Sequence, residues 1–336
     1  MARCLRKHPQ HTGAAHFYVH IAEHSPDPRQ AEAAADALGT LAPDAPHLVH
    51  MGSHIYKNIG RFDAGSQANQ QALEVQKRFD AVLQAQGADS RGRWDAHHLH
   101  FLWFAALMEG RVDLSVGTAR EYARRFSDRG DGDGEYAALL PLATLVRLGQ
   151  WESVLAEPPH TGGLGLAEGF TAYARGMAYA NTGRLAQARS ELAALQRQRA
   201  LPTLQRAGLY GEPIPAKVLL VAQHMLAGRI ARLEGRPQAA LAGLREAAAL
   251  DDEFGSDPPL TGGGVRLALA TALMEAGQLD EAANEIAEAQ RLYGPSAWLH
   301  QALGELAERR GARAEAQHQG ELARAAWRHA QGAALP

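Results

Sequence analysis

The sequence predicts an all-α, right-handed solenoid of about seven to eight helix pairs. Two observations carry that expectation. Beyond residue 10, Ala and Leu recur at spacings of 3, 4 and 7 with almost no alternating β-branched runs, which is the helical period. A glycine that ends one helix, followed by a short polar turn, an apolar residue and a second helix with Ala near its start, also recurs along the chain.

The recurrences are Gly60 in NIGRFDAG, Gly110 in MEGRVDLS, Gly149 in RLGQWESV, Gly183 in NTGRLAQA, Gly235 in LEGRPQAA, Gly277 in EAGQLDEA and Gly311 in RRGARAEA. Successive glycines lie 50, 39, 34, 52, 42 and 34 residues apart. The longer spacings require insertions, expected at residues 80–95, 157–166 and 199–215. The motif PPHTGG at 158–163 returns as PPLTGG at 258–263, each time just before a first helix. GGLGLAEG superficially suggests a phosphate loop, but no strand precedes it, which favours an ordinary loop. At the start, RKHPQHTGAAHFYVH reads as the end of a second helix closed by Pro9, so the terminus is either truncated or a lone capping helix.

The recurring 34-residue spacing with its GR-apolar turn resembles the tetratricopeptide repeat. TAYARGMAYANTGRLAQA carries the resemblance best, with Gly176 and Tyr179 at the family's helix-packing places ahead of Gly183. GSHIYKNIGRF follows with Ser53 and Tyr56, and HQALGELAERRGA with Gly304. The resemblance implies that first helices line a concave groove through residues 13, 10, 6 and 2 to 3 positions before the turn glycine. Those intervals describe one helical stripe.

Composition limits the functions such a groove can serve. The chain has 336 residues, 46% hydrophobic and 21% charged, with a formal net charge of −3, so it offers no sustained basic surface for nucleic acid. Cys4 is the single cysteine, which excludes an internal disulfide and a thiolate metal site. No stretch of about 18 apolar residues occurs, and the basic start leads into no apolar segment, so a cytoplasmic protein without membrane contact is expected.

Histidine departs from the ordinary. There are 16, of which 11 fall in the first hundred positions: His8, His11, His16, His20, His24, His47, His50, His54, His97, His98 and His100. Ahead of Gly60 the stripe positions are His47, His50 and His54, and ahead of Gly110 they are His97, His100 and Phe104. With Pro26 at the turn of the first pair, they are Gly13, His16, His20 and His24. Eight histidines thus share the stripe, and His98 falls off it. Equivalent positions of the later pairs are Tyr136, Leu139 and Ala143; Phe170, Tyr173 and Met177; Ala222, Met225 and Arg229; Gly264, Leu267 and Thr271; and Trp298, Gln301 and Glu305. None is histidine, and helix propensity does not explain the enrichment, because histidine is a mediocre helix former.

His16, His20, His24, His47, His50, His54, His97 and His100 are therefore the candidate ligands of one or two transition-metal ions. Imidazole suits copper, iron or zinc, and the absence of further cysteine and scarcity of groove carboxylates disfavour calcium and magnesium. Mutual repulsion keeps such rings neutral and able to ligate. Glu23 is the nearest groove carboxylate, a candidate to complete the ligand set or act as general base. Lys57, Phe104 and Tyr173, with Phe170 and Trp103, are candidates to enclose a small-molecule substrate. Tyr18 and Tyr56 sit at packing offsets and are expected in the core.

HTGAAHFYVH, APHLVHMGSHIY and HHLHFLWFAALMEGR together resemble a group of bacterial tetratricopeptide-repeat proteins with this histidine pattern. Thr12 stands where that group has Pro, and His98 where Asn is common. The resemblance implies the fold and a shared groove site. The chain divides into histidine-rich repeats at 1–126 and further repeats at 127–336, continuous in one solenoid. The functional expectation is a metalloenzyme that oxidises or hydrolyses a small molecule. The alternative is a metal-independent scaffold whose groove binds a peptide or partner protein, and a plain metal carrier or a metal-free ligand groove stands behind both.

Overall fold

The computed structural model describes residues 1–88, 93–208, 214–254 and 258–331. Parts of two expected insertions, residues 89–92 and 209–213, lie outside these. Among the described residues all regular structure is helical, and no helix is long and apolar enough to cross a membrane.

A short helix α1 (Ala2–Lys7) precedes the first pair, α2 (Thr12–Ala22) and α3 (Glu32–Leu41). The second pair is α4 (Pro46–His50) and α5 (Gly52–Ile59), interrupted at Met51, against the long α6 (Phe62–Ala85). Helices α7 (Arg93–Met108) and α8 (Val112–Phe126) follow, then α9 (Gly132–Arg147) and the short α10 (Trp151–Ala156). Next come α11 (Leu166–Asn181) and α12 (Leu185–Arg199), a turn of helix α13 (Pro202–Arg206), and the pair α14 (Ile214–Leu233) and α15 (Pro237–Asp252). The array ends with α16 (Gly264–Glu275) and α17 (Leu279–Tyr293), then α18 (Ala297–Arg309) and α19 (Arg313–Ala326). Each helix packs on the next, and first helices also pack on first helices, α9 on α11, α11 on α14 and α16 on α18. The chain is an all-α solenoid of helix pairs, as its sequence predicts.

All seven turn glycines are left-handed, with φ between 65° at Gly149 and 80° at Gly60. After each, the next amide bonds back to a carbonyl five residues earlier, as Arg61 does to Tyr56 at 3.0 Å and Arg184 to Tyr179 at 2.8 Å. This is the αL helix stop that glycine adopts without a Cβ penalty. The echoed TGG motifs share a second device, since Gly162, Gly163, Gly262 and Gly263 all have positive φ immediately before a first helix.

The GGLGLAEG segment has its own anion. The Glu135 carboxylate from α9 accepts the amides of Leu164, Gly165, Leu166 and Ala167 at the start of α11. It satisfies the orphan donors of that helix end and leaves no phosphate cradle.

One buried core runs from Phe62 to Leu306 without a break at 126/127, and a second occupies residues 15–59. Tyr56 belongs to the second, its hydroxyl donating to Asp36 at 2.7 Å, whereas Tyr18 is half-buried against it and donates to Gln30 at 3.3 Å. The array also returns to its beginning. The Gln331 amide donates to the Gly110 carbonyl at 3.0 Å, Arg328 pairs with Asp63, and Gly60 and Gly294 lie against Pro295 and Asn58 respectively.

Candidate metal centre

The first helices of the first three pairs bring six histidines into two groups of three. His16, His20 and His47 offer ring nitrogens within 4.8 Å of one another, and so do His50, His54 and His97. The first group joins α2 to α4, and its rings are half-exposed. The second joins α4 and α5 to α7 and is deeper, with His50 0% and His54 2% exposed and His97 half-buried.

Within the first group His16 Nε2 faces His47 Nε2 at 3.0 Å. Within the second His50 Nε2 faces His54 Nε2 at 2.9 Å. Glu23, at the end of α2, stands between the groups with its side chain 4% exposed. Its Oε1 is 3.0 Å from His20 Nδ1 and its Oε2 is 2.6 Å from His54 Nδ1. The carboxylate therefore takes the far nitrogen of one ring from each group, turning both Nε2 atoms inward. The Asn58 amide fixes this junction from below, donating to the Glu23 carbonyl at 3.0 Å and the His54 carbonyl at 3.2 Å.

His50 has a different support. Asn69, on α6, donates its Nδ2 to the Gly65 carbonyl at 2.8 Å, which leaves its Oδ1 2.7 Å from His50 Nδ1. An amide oxygen only accepts, so the network assigns the proton to His50 Nδ1. A carboxylate only accepts too, so His54 also carries its proton on Nδ1. In the neutral rings both Nε2 atoms then present lone pairs to each other.

Burial acts against adding a proton there. Desolvation, reinforced by repulsion from His54, His97 and His98, holds His50 well below the usual histidine range. His47 is drawn down to about 4, first by burial and then by His16, His20, His54 and His97. His16 shifts the same way for the same reasons.

The other predicted site residues are not all gathered here. His24 lies past the end of α2 with its side chain 79% exposed, 3.8 Å from Glu23, because the helix stops at Ala22 before the stripe reaches it. His100 turns away from the cluster, stacks on Trp103 with ring centroids 5.2 Å apart, and bonds the Tyr136 hydroxyl at 2.9 Å. Glu23 stands behind the rings and supports them. Lys57 lies 5.7 Å from the centroid of Phe101 and, with Phe104, lines a cavity of about 130 Å³ beside Asp251 and Tyr293. Phe170 and Tyr173 line a different groove, of about 790 Å³, formed by the later repeats. Trp103 is wholly buried, its Nε1 donating to Thr144 Oγ1 at 2.7 Å.

Three neighbours escaped the sequence reading. His98, placed off the stripe, is 0% exposed with its ring centroid 4.8 Å from that of His50. Phe101 covers the buried group, with ring centroids 4.7 Å from His50 and 4.6 Å from His54. Its position four residues after His97 was the available signal. Asn69 lies on a second helix and had none.

No family model matches the chain, and no curated protein is similar to it. Among solved structures it is similar to a tetratricopeptide repeat protein from Parabacteroides merdae, at 12% identity and a TM-score of 0.36, covering 84% of this chain and 93% of that one. It is also similar to the Cut9–Hcn1 hetero-tetramer of APC/C, at 13% identity and a TM-score of 0.28, over 98% of this chain and 89% of that one. A third is the Naa15/Naa10 structure bound to HypK-THB, at 15% identity and a TM-score of 0.26, over 97% of this chain and 60% of that one.

Proposed function

We propose that the protein binds two transition-metal ions, one in each histidine group, and that metal-centred chemistry on a small molecule is its function. The observation that carries this reading is the pair of facing Nε2 atoms of His50 and His54, 2.9 Å apart with both protons held elsewhere. Two lone pairs at that distance repel. A cation between them removes the repulsion, and a metal ion, unlike a proton, accepts both of these lone pairs together with that of the third ring. Two nitrogens at about 2.0–2.1 Å from one ion are about 2.9 Å apart at right angles and about 3.3 Å apart in a tetrahedron. The separations of 2.9 and 3.0 Å fit such a pairing.

The all-nitrogen donor set suits copper, iron or zinc. Three protein ligands leave a coordination position open, which supports reactivity rather than a purely structural site. The two groups divide that role. His16, His20 and His47 are all half-exposed and suit exchange with solvent or substrate, while the second group, with His50 and His54 buried and His97 half-buried, suits retention. A bound ion supplies Lewis acidity or, for copper and iron, a redox couple. Glu23 and Asn69 hold three of the six rings with their lone pairs inward, fixing tautomer and orientation.

Elemental analysis of untagged protein tests this directly. About two equivalents of metal are expected in the wild type, and about one in either H16A/H47A or H50A/H54A, consistent with three ligands per site. Metal absent from the wild type even after reconstitution would overturn the reading and leave a groove for an organic or peptide ligand.

A further inference from the structure

The groove of the later repeats holds buried guanidinium nitrogens without hydrogen-bond acceptors among the described residues. Its walls are mainly apolar, built from Phe170, Met177, Val221, Met225 and Leu267, and it encloses about 790 Å³. That volume is in the range of small-molecule sites, about 300–1,000 Å³. Three guanidinium groups line it, Arg147 at the end of α9 and Arg229 and Arg232 on α14.

Arg147 has its Nε and Nη2 buried without a hydrogen-bond acceptor among the described residues. Its guanidinium lies 4.1 Å from the ring centroid of Trp298, which fixes its plane while contributing no negative charge. Burial draws it down to about 10, so it remains a cation at neutral pH. Arg229 likewise has a buried Nε without an acceptor. Arg232, also in the lining, differs in being paired with Glu275 at 2.9 Å. A buried cation left without a partner is costly, and chains ordinarily supply a carboxylate for it. Here the carboxylates of the lining stand elsewhere, Glu305 engaged by Arg309 at 2.9 Å and Glu308 exposed at the rim.

We propose that this groove is a binding site for an organic anion with an apolar body. Arg147 receives the acid group, joined by Arg229 and the Tyr173 hydroxyl, and the body lies along Phe170, Met177 and Met225. Charge complementarity selects the acid, because the Arg147 Nε and Nη2 and the Arg229 Nε are donors on cations, and an anion satisfies them better than a neutral acceptor. The apolar walls select the body and exclude a bare inorganic anion. The site shares Phe254, Leu260 and Thr261 with the smaller cavity beside Lys57 and includes none of the six clustered histidines.

The dye pair 1-anilinonaphthalene-8-sulfonate and N-phenyl-1-naphthylamine tests the charge requirement, since the second is the same body without the acid. Saturable one-site fluorescence with the sulfonate, displaced by dodecanoate and at least about tenfold tighter than with the neutral dye, is expected. Arg147→Met should weaken the sulfonate about tenfold and leave the neutral dye within about twofold, since only the charge-assisted bonds are lost. Arg229→Met should act in the same direction. Metal content unchanged in both variants separates this site from the histidine centre, and melting temperatures no lower than the wild type's show that both variants fold. Equal affinity for the two dyes, or an Arg147→Met variant that binds the sulfonate like the wild type, would overturn the proposal. Displacement by an acetylated acidic hexapeptide but not by dodecanoate would transfer the groove to a peptide ligand and overturn it too.

Discussion

His98 has both ring nitrogens buried without a hydrogen-bond partner among the described residues, and burial then repulsion from His97, His47 and His54 lowers it to about 3. His47 is lowered to about 4. Both folded values lie below the ordinary 6.5, so below that pH the unfolded chain takes up protons that the folded chain refuses. The sign follows: metal-free protein is most stable above about pH 6.5 and loses stability as pH falls from there towards 4 and 3. Chemical denaturation of the apoprotein at pH 7.5 and 5 should show the fall. A His98→Leu variant, of similar volume, should be more stable by about 1–3 kcal/mol and less pH-dependent, because the orphaned polar atoms are gone. An unaltered pH slope in that variant would refute the assignment of the titration to His98.

At the level of the helices, the turn glycines separate two kinds of constraint. Gly183 has φ of 76° and open space around it, so Gly183→Ala meets only the backbone penalty of about 1–2 kcal/mol. Gly60 has φ of 80°, and a methyl group there would lie 2.8 Å from the Pro295 carbonyl oxygen. Gly60→Ala should therefore cost about 1–3 kcal/mol more than Gly183→Ala, read from denaturation midpoints. These turns were legible in the sequence because a left-handed stop demands glycine locally. The stripe was legible for the same local reason, and its positions in the later pairs, from Ala143 to Glu305, do line one groove. In α7 that rule lost its grip. Residues 98–108 are buried on every side, so no polar face fixes the helix phase, and His97 with Phe101 faces the cluster while His100 faces Trp103 and Tyr136. Contacts between distant segments, such as Asn69 with His50 and Glu23 with His54, carry no local signature at all.

Across the whole molecule, the closing contacts reach the histidine centre. Gly294, with φ of 72°, lies directly against the backbone of Asn58, so that a methyl group there would collide with its carbonyl. Asn58 is the residue whose side chain ties the end of α2 to the end of α5. Gly294→Ala should accordingly loosen the junction that holds Glu23 behind His20 and His54. The expected outcome is faster loss of metal to a chelator with the helix content kept. Unchanged release kinetics would show that the ends of the array and the centre are uncoupled.

An array whose last pair rests on its second and third no longer behaves as a spring. Open solenoids interact only between nearest neighbours, stretch under load and fray from either end one repeat at a time. Here the bonds from Gln331 to Gly110 and from Arg328 to Asp63 join the terminus to the early repeats, as a clasp joins the ends of a bracelet. Fraying the final pair breaks its bonds to Asp63 and Gly110, and losing the early repeats unseats the final pair. Mechanical or thermal unfolding of such a closed array proceeds as one event where an open one would show a staircase.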